Sequence, residues 1–369
     1  MKTLYLSIRN INLNNKPMKT ANFLKMMMLF LAIGITSCSS NSTDDGGGSG
    51  SGNGNGGGSS ALTLEVSKSR VYESDAVTFT VRDANGANVT PASVITVDGT
   101  AISGSTTIFT STGVKSAVAT IGSETSNTLS VEVISPSFTT KALIEDYTGA
   151  WCGWCPRISQ GIIDVHNSAN GDDVIAVAVH NGDAMAFPLE SQMRSQFGVT
   201  GFPTGILNRD VRWASVSGDA MNISQPLSLL NTTREVGLAI NSSLSGNTVT
   251  ATIKVGFDFD QSDLKLVAVL LENGRVESQT NYTNNFGGGS SIPNFVHNDI
   301  LRASFTDIFG DVIPATEQVA DGVYTASLTV TVGSTVNTAD MDVVAFVVDA
   351  SGEVVNVQKA AVGTNKDFD

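Results

Sequence analysis

The chain has 369 residues and a formal net charge of -14. That length exceeds one ordinary core and predicts two or three domains. Residues 1–37 hold five basic residues and no acid; without them 16 basic residues face 35 acidic ones, a balance of -19, which argues against nucleic-acid binding.

The first segment reads as an export signal. Lys19 and Lys25 form a basic region, and Met26 to Ile35 is an apolar run of about ten residues, too short to span a bilayer as a helix. It ends in Ile35-Thr36-Ser37-Cys38. This end resembles a bacterial lipobox, which implies cleavage before Cys38 and lipidation of that cysteine. Met18-Lys19-Thr20 begins a conventional signal peptide, so the true start is expected there.

Residues 39–60 are polar and then almost entirely Gly, Ser and Asn. Such a segment buries too little apolar area to order itself, and it spans roughly 25 Å r.m.s.. It suits a tether holding folded domains off a membrane. Asp44-Asp45 resembles the acidic surface-export signals of some lipoproteins and reads equally well as a solvated charge pair.

From 61 to 135 apolar and polar residues alternate, as in Leu62-Thr63-Leu64-Glu65-Val66 and Val77-Thr78-Phe79-Thr80-Val81. About seven short strands at this spacing predict a small β-sandwich. The stretch resembles bacterial immunoglobulin-like domains. Nothing in it points to chemistry.

Ser135-Pro136-Ser137 marks a boundary, and the pattern then changes. Leu143 to Tyr147 reads as a strand and Arg157 to Val165 as a helix, with Ile158, Ile162 and Val165 on one face. Between them lies Trp151-Cys152-Gly153-Trp154-Cys155-Pro156. A cysteine at a helix N-terminus meets free N–H groups and the positive end of the helix dipole, which favour a thiolate. The second cysteine lies about one turn on, within reach of a disulfide. Val174 to His180 is a continuous apolar run, as for a strand buried on both faces. Pro188 to Phe197 reads as a helix stopped by Gly198, followed by Gly201-Phe202-Pro203-Thr204.

The order strand, Cys helix, strand, helix, Gly-Phe-Pro-Thr, strand resembles the thioredoxin fold. The resemblance implies that the Phe202–Pro203 bond is cis and that Pro203 faces the sulfurs. It also implies that Asp146, six residues before Cys152, serves the thiol of Cys155. Glu145 lies on the other strand face, so register decides which carboxylate is inside. Gly153-Trp154 departs from the Gly-Pro of reducing thioredoxins and leaves the direction of electron flow open.

Residues 231–369 return to β patterning, for example Leu264 to Leu271 and Val343 to Asp349, and predict a second β-sandwich. Phe286 to Ser291, with three glycines, reads as a long loop. The Cys-containing region, Val296-His297-Asn298-Asp299-Ile300-Leu301-Arg302 and the Val-Val-Ala-Phe-Val ending together resemble lipoproteins related to the twenty-eight-kilodalton outer membrane protein. That resemblance runs from about residue 140 to the end and implies an outer-membrane location.

The expected fold is therefore multidomain: an immunoglobulin-like β-sandwich (61–135), an α/β thioredoxin-like domain (136–230) and a C-terminal β-sandwich (231–369). The expected site is Cys152 and Cys155, paired as a disulfide, with Pro203 and Asp146. No cofactor and no metal are expected: a structural zinc site needs four ligands, Cys152 and Cys155 supply two, and the three histidines, His166, His180 and His297, read as surface or core residues. Asp258, Asp260 and Asp263 read as a solvated turn. The expected partners are the membrane, through Cys38, and thiols or disulfides of cell-envelope proteins. Two functions stay open: a thiol–disulfide oxidoreductase, and a binding lipoprotein in which the cysteines are a staple.

The export segment generates a test. Cys38→Ala should release the protein from membranes and abolish acyl labelling. A variant that keeps its lipid and stays membrane-bound would remove the lipoprotein assignment.

Overall fold

A computed structural model describes residues 62–233 and 235–369. Cys38, the export segment and the Gly/Ser tether lie outside the described residues. The molecule is mostly β-sheet, with three short α-helices among the described residues.

Residues 62–134 form two facing sheets of three and six strands. The alternation in Leu62–Val66 and Ala76–Asp83 points Leu62, Leu64, Val77, Phe79 and Val81 into one core with Ile95, Val131 and Val133. This is the two-sheet sandwich that the alternation predicts. Its contact with the rest of the chain centres on a residue read as solvated. Asp258 is buried, and its Oδ2 accepts hydrogen bonds from Tyr72 Oη at 2.8 Å and from Ser137 N at 2.9 Å. The Tyr72 ring also packs edge-on against Phe259, with centroids 4.8 Å apart.

The remaining elements are numbered here from the Cys-containing region. They are β1 (Ala142–Thr148), α1 (Pro156–His166), β2 (Val174–His180), α2 (Glu190–Gln196), β3 (Thr204–Leu207), β4 (Lys265–Glu272), β5 (Arg275–Thr280), β6 (Ser291–His297), β7 (Ile300–Ser304), β8 (Met341–Val348) and β9 (Val354–Ala361). One nine-stranded sheet contains β3-β1-β2-β7-β4-β8-β9 in that order, with two-residue strands added beside β3 and β4. β1 and β2 are parallel and β3 runs antiparallel to β1. β2 joins β7 in parallel at Ala178↔Ile300.

This corrects the expected boundary at residue 230. The segment 136–230 is not a separate α/β domain, since its sheet continues through strands of residues 265–361. Its helical content is also thin, with α1 of 11 residues, α2 of 7 and a third helix, Ser224–Ser228, of 5. The physical reason lies in β2, whose free edge would otherwise carry unpaired N–H and C=O groups. A strand from the C-terminal half meets that edge at Ala178.

Side-chain alternation gives the sheet two different faces. Leu143, Tyr147, Ile175, Val177, Val179, Val267, Val269, Leu271, Val344, Phe346 and Val348 share one core across its whole width. On the opposite face the covering changes. Ala142, Ile144 and Val174 pack with Ile158 and Val165 of α1 and with Trp213. Further along, Leu266, Ala268, Leu270, Val343, Ala345 and Val347 pack against a four-stranded sheet that includes Val236–Ser245, Thr248–Phe257 and Val323–Thr331. The expected C-terminal sandwich therefore exists in altered form, because one of its two layers is the shared sheet.

A fragment ending at residue 230 would lose Val344, Phe346 and Val348 from the shared core. Burial of each such side chain is worth roughly 1.5–3 kcal/mol, a total comparable with the whole stability of a small domain. Residues 136–230 expressed alone should show no cooperative thermal transition and poor amide dispersion in NMR. A cooperative transition would restore the separate domain.

Candidate functional site

The Cys pair sits where the chain leaves β1 and enters α1. Cys155 is the N-cap residue of α1 and Pro156 opens the helix, a position where a missing N–H costs little. Cys152 and Cys155 form a disulfide. Their residue exposures are only 4% and 1%. The two tryptophans beside them are far more exposed, at 49% for Trp151 and 47% for Trp154.

Two segments hold this turn. On one side Trp151 packs edge-on against Phe202, with centroids 5.4 Å apart, and the Phe202–Pro203 bond is cis. Pro203 lines a small cavity of about 120 Å³ with Arg157 and Ile158, the residues after Pro156. On the other side lies the hairpin β5–β6. Thr280 N donates to Ala150 O at 2.8 Å, and Tyr282 N donates to Gly153 O at 2.7 Å. Gln279 Nε2 donates to Cys152 O at 2.9 Å and to Gly149 O at 3.3 Å. The Tyr282 ring lies on Gly153, where a Cβ would come within 2.3 Å of it, so this position needs glycine. Tyr282 also meets Trp154 edge-on at 5.9 Å.

The two adjacent carboxylates of β1 take opposite faces. The choice between an inner and an outer acid does not arise, because both faces of β1 are covered and all seven of its residues are buried. Glu145 joins the wide core and pairs with Arg209, whose Nη2 lies 2.9 Å from Oε1; it also accepts from Tyr147 Oη at 3.2 Å. The Arg209 guanidinium in turn lies over Phe346, 4.6 Å from the ring centroid. Asp146 points to the α1 side. It is 2% exposed, and its Oδ1 has no hydrogen-bond partner among the described residues. Desolvation pushes its carboxyl up to about 8.

Asp146 lines a cavity of about 420 Å³ between the sheet, α1 and the β5–β6 hairpin. β2 explains this space. Ile175, Val177 and Val179 point to the wide core, whereas Ala176, Ala178 and His180 point to the cavity, and two alanines leave it unfilled. His166, His180 and His297, the chain's three histidines, all line it. His180 Nδ1 donates to Asp183 Oδ2 at 2.8 Å, and the rings of His180 and His297 meet at 5.3 Å. His297 is 5% exposed, and its Nε2 has no partner among the described residues. Desolvation, followed by the neighbouring His180, pushes its imidazole down to about 4. Among the described residues, no group of three or more His, Cys, Asp or Glu side chains is placed to hold a metal ion.

Sequence reasoning missed the hairpin. The Gly-rich stretch is a short 3-10 turn at Asn285–Gly287, and Phe286 is pinned edge-on against Phe295 at 5.0 Å. Gln279 and Tyr282 lie over 120 residues from the turn they hold, and no local pattern signals that pairing.

Residues 190–366 match the model of the outer membrane protein Omp28 family. The match starts after the Cys pair, so it covers less than the expected span from residue 140, and it includes the hairpin. No curated protein matches the chain. Among solved structures, HBP35 of Porphyromonas gingivalis is similar at 22% identity and a TM-score of 0.50, covering 61% of this chain and 76% of that one. The adhesin InvE of Yersinia pseudotuberculosis has a TM-score of only 0.16 at 11% identity, covering 82% of this chain and 58% of that one. The family match supports a location in the outer membrane or cell envelope. Among the described residues, no helix is long and apolar enough to cross a membrane.

Asp146 generates a pH test. Its carboxyl rises from 3.8 in the unfolded chain to about 8 in the fold, so the folded state holds the extra proton between these values. Stability from this group is present below about 4 and falls by up to about 1.4 kcal/mol per pH unit towards 8. Asp146→Asn should remove that slope, matching wild type near pH 4 and unfolding at higher temperature than wild type at pH 8. Parallel melting curves across pH would disprove the buried, unpaired acid.

Proposed function

We propose that this is a lipid-anchored envelope protein in which Cys152 and Cys155, in a thioredoxin-like setting, exchange disulfides with other envelope proteins. The observation that carries the reading is Asp146. An unpaired buried carboxyl is costly, and such groups persist mainly where a proton must be given or taken. It lies on the α1 side of the strand that runs into the Cys turn.

The Cys152 thiolate attacks one sulfur of a partner disulfide, forming a mixed disulfide and releasing a partner thiolate. Cys155, losing its proton to Asp146 in its carboxylate form, then attacks the Cys152 sulfur. The partner leaves with two thiols, and Cys152–Cys155 is oxidised by the same two electrons. The reverse sequence oxidises a partner dithiol. Arg157, in the first turn of α1, adds positive potential near the sulfurs, and its guanidinium lies over Trp154 at 5.9 Å.

A second reading has its own support. The sulfurs are almost inaccessible, and four carbonyls of the turn are hydrogen-bonded by Gln279, Thr280 and Tyr282. In that reading the disulfide is a staple and the exposed aromatics serve binding.

Reactivity separates the two readings. Equilibration in glutathione buffers should give a reduction potential above about -300 mV, the level below which structural disulfides fall. Cys155→Ala should trap envelope proteins as mixed disulfides through Cys152, and Cys152→Ala should trap few. A very low potential together with an empty trap would leave the staple.

A further inference from the structure

We propose that the cavity between α1, the alanine face of β2 and the β5–β6 hairpin is a binding site for a small, uncharged organic molecule with an apolar body and one polar group. The proposal shares Asp146 with the redox reading but does not require the Cys pair to exchange disulfides.

The cavity's volume of about 420 Å³ lies in the range of small-molecule sites, which are mostly apolar with a few convergent polar groups. Its walls carry that mixture. Ile162 and Ile163 come from α1, and Phe286, Ile292 and Phe295 from the hairpin. The polar groups are what an empty cavity does not explain. Asp146 Oδ1 and His297 Nε2 each lack a partner among the described residues, although both side chains are more than nine-tenths buried. Buried polar atoms are rarely left so, because desolvation without a partner is unfavourable. A ligand supplying a hydrogen-bonding group satisfies at least one of them.

The charge of the ligand follows from its surroundings. The other carboxylates near the cavity already have partners: Asp183 holds His180, and Asp299 has Lys359 Nζ at 3.4 Å. Among the described residues Asp146 has no cation beside it, and burial keeps it protonated at neutral pH; burial likewise keeps His297 uncharged. An anion entering here finds no unpaired positive group among the described residues. A cation loses its hydration among apolar walls and gains only a neutral carboxyl. An uncharged hydroxyl or carbonyl loses least and gains a hydrogen bond.

Three probes of one size test this on the intact folded protein at pH 7: naphthalene-2-methanol, naphthalene-2-carboxylate and naphthalene-2-methylammonium. Calorimetry and ligand-observed NMR should give single-site binding of the alcohol, at least about tenfold tighter than either ion. Ala178→Leu, which fills the cavity, and His297→Leu, which removes a polar partner, should each weaken the alcohol at least about fivefold while circular dichroism stays unchanged. No saturable binding of the alcohol would overturn the proposal. So would equal or tighter binding of either ion, or undiminished binding by a folded Ala178→Leu protein. If both variants fail to fold, the charge series on the wild type decides alone.

Discussion

The architecture depends on one short junction, the pairing of β2 with β7. Ala178 N donates to Asp299 O at 2.7 Å, and Ala178 faces Ile300 across the ladder. Few residues make this contact, but it joins the Cys-containing strands and the C-terminal strands into one sheet. It also fixes what lies above them. β6 ends at His297 and β7 begins at Ile300, so only Asn298 and Asp299 separate the hairpin from the junction. Docking β7 on β2 therefore brings the β5–β6 hairpin beside α1.

Two consequences follow from that placement. The outer strand of the hairpin runs along the Cys turn, and Gln279, Thr280 and Tyr282 satisfy its carbonyls. The turn that carries the disulfide is thereby held by residues more than 120 positions further along the chain. The hairpin's inner side also roofs the space that Ala176 and Ala178 leave open. Disulfide and cavity thus share one wall. This explains why a Cys pair flanked by two exposed tryptophans is itself almost inaccessible.

The carboxylates of β1 illustrate how one strand serves two environments. Glu145 finds Arg209 and a tyrosine hydroxyl in the wide core, so its charge is compensated. Asp146, one residue on, finds neither and is kept protonated by burial. Alternation along a strand separates the two by one residue, and only the packing against each face makes them chemically different.

Much of this was legible in the sequence. Apolar alternation in Leu62–Val66 and Ala76–Asp83 specified the first sandwich, because period-2 patterning leaves one buried face. The unbroken apolar run of Val174–His180 specified a strand covered on both sides, and it is one. The Trp-Cys-Gly-Trp-Cys-Pro stretch located the strand-to-helix junction, because proline at a first helical position and the apolar spacing behind it are local signals. What covers each face was not legible. Pairing β2 with β7, seating Tyr282 on Gly153 and collecting three distant histidines around one cavity all depend on contacts spanning a hundred residues or more. Local periodicity records that a face is buried; the tertiary structure alone decides against what, and so decided that the disulfide is capped and that Asp146 and His297 stand unpaired in a common space.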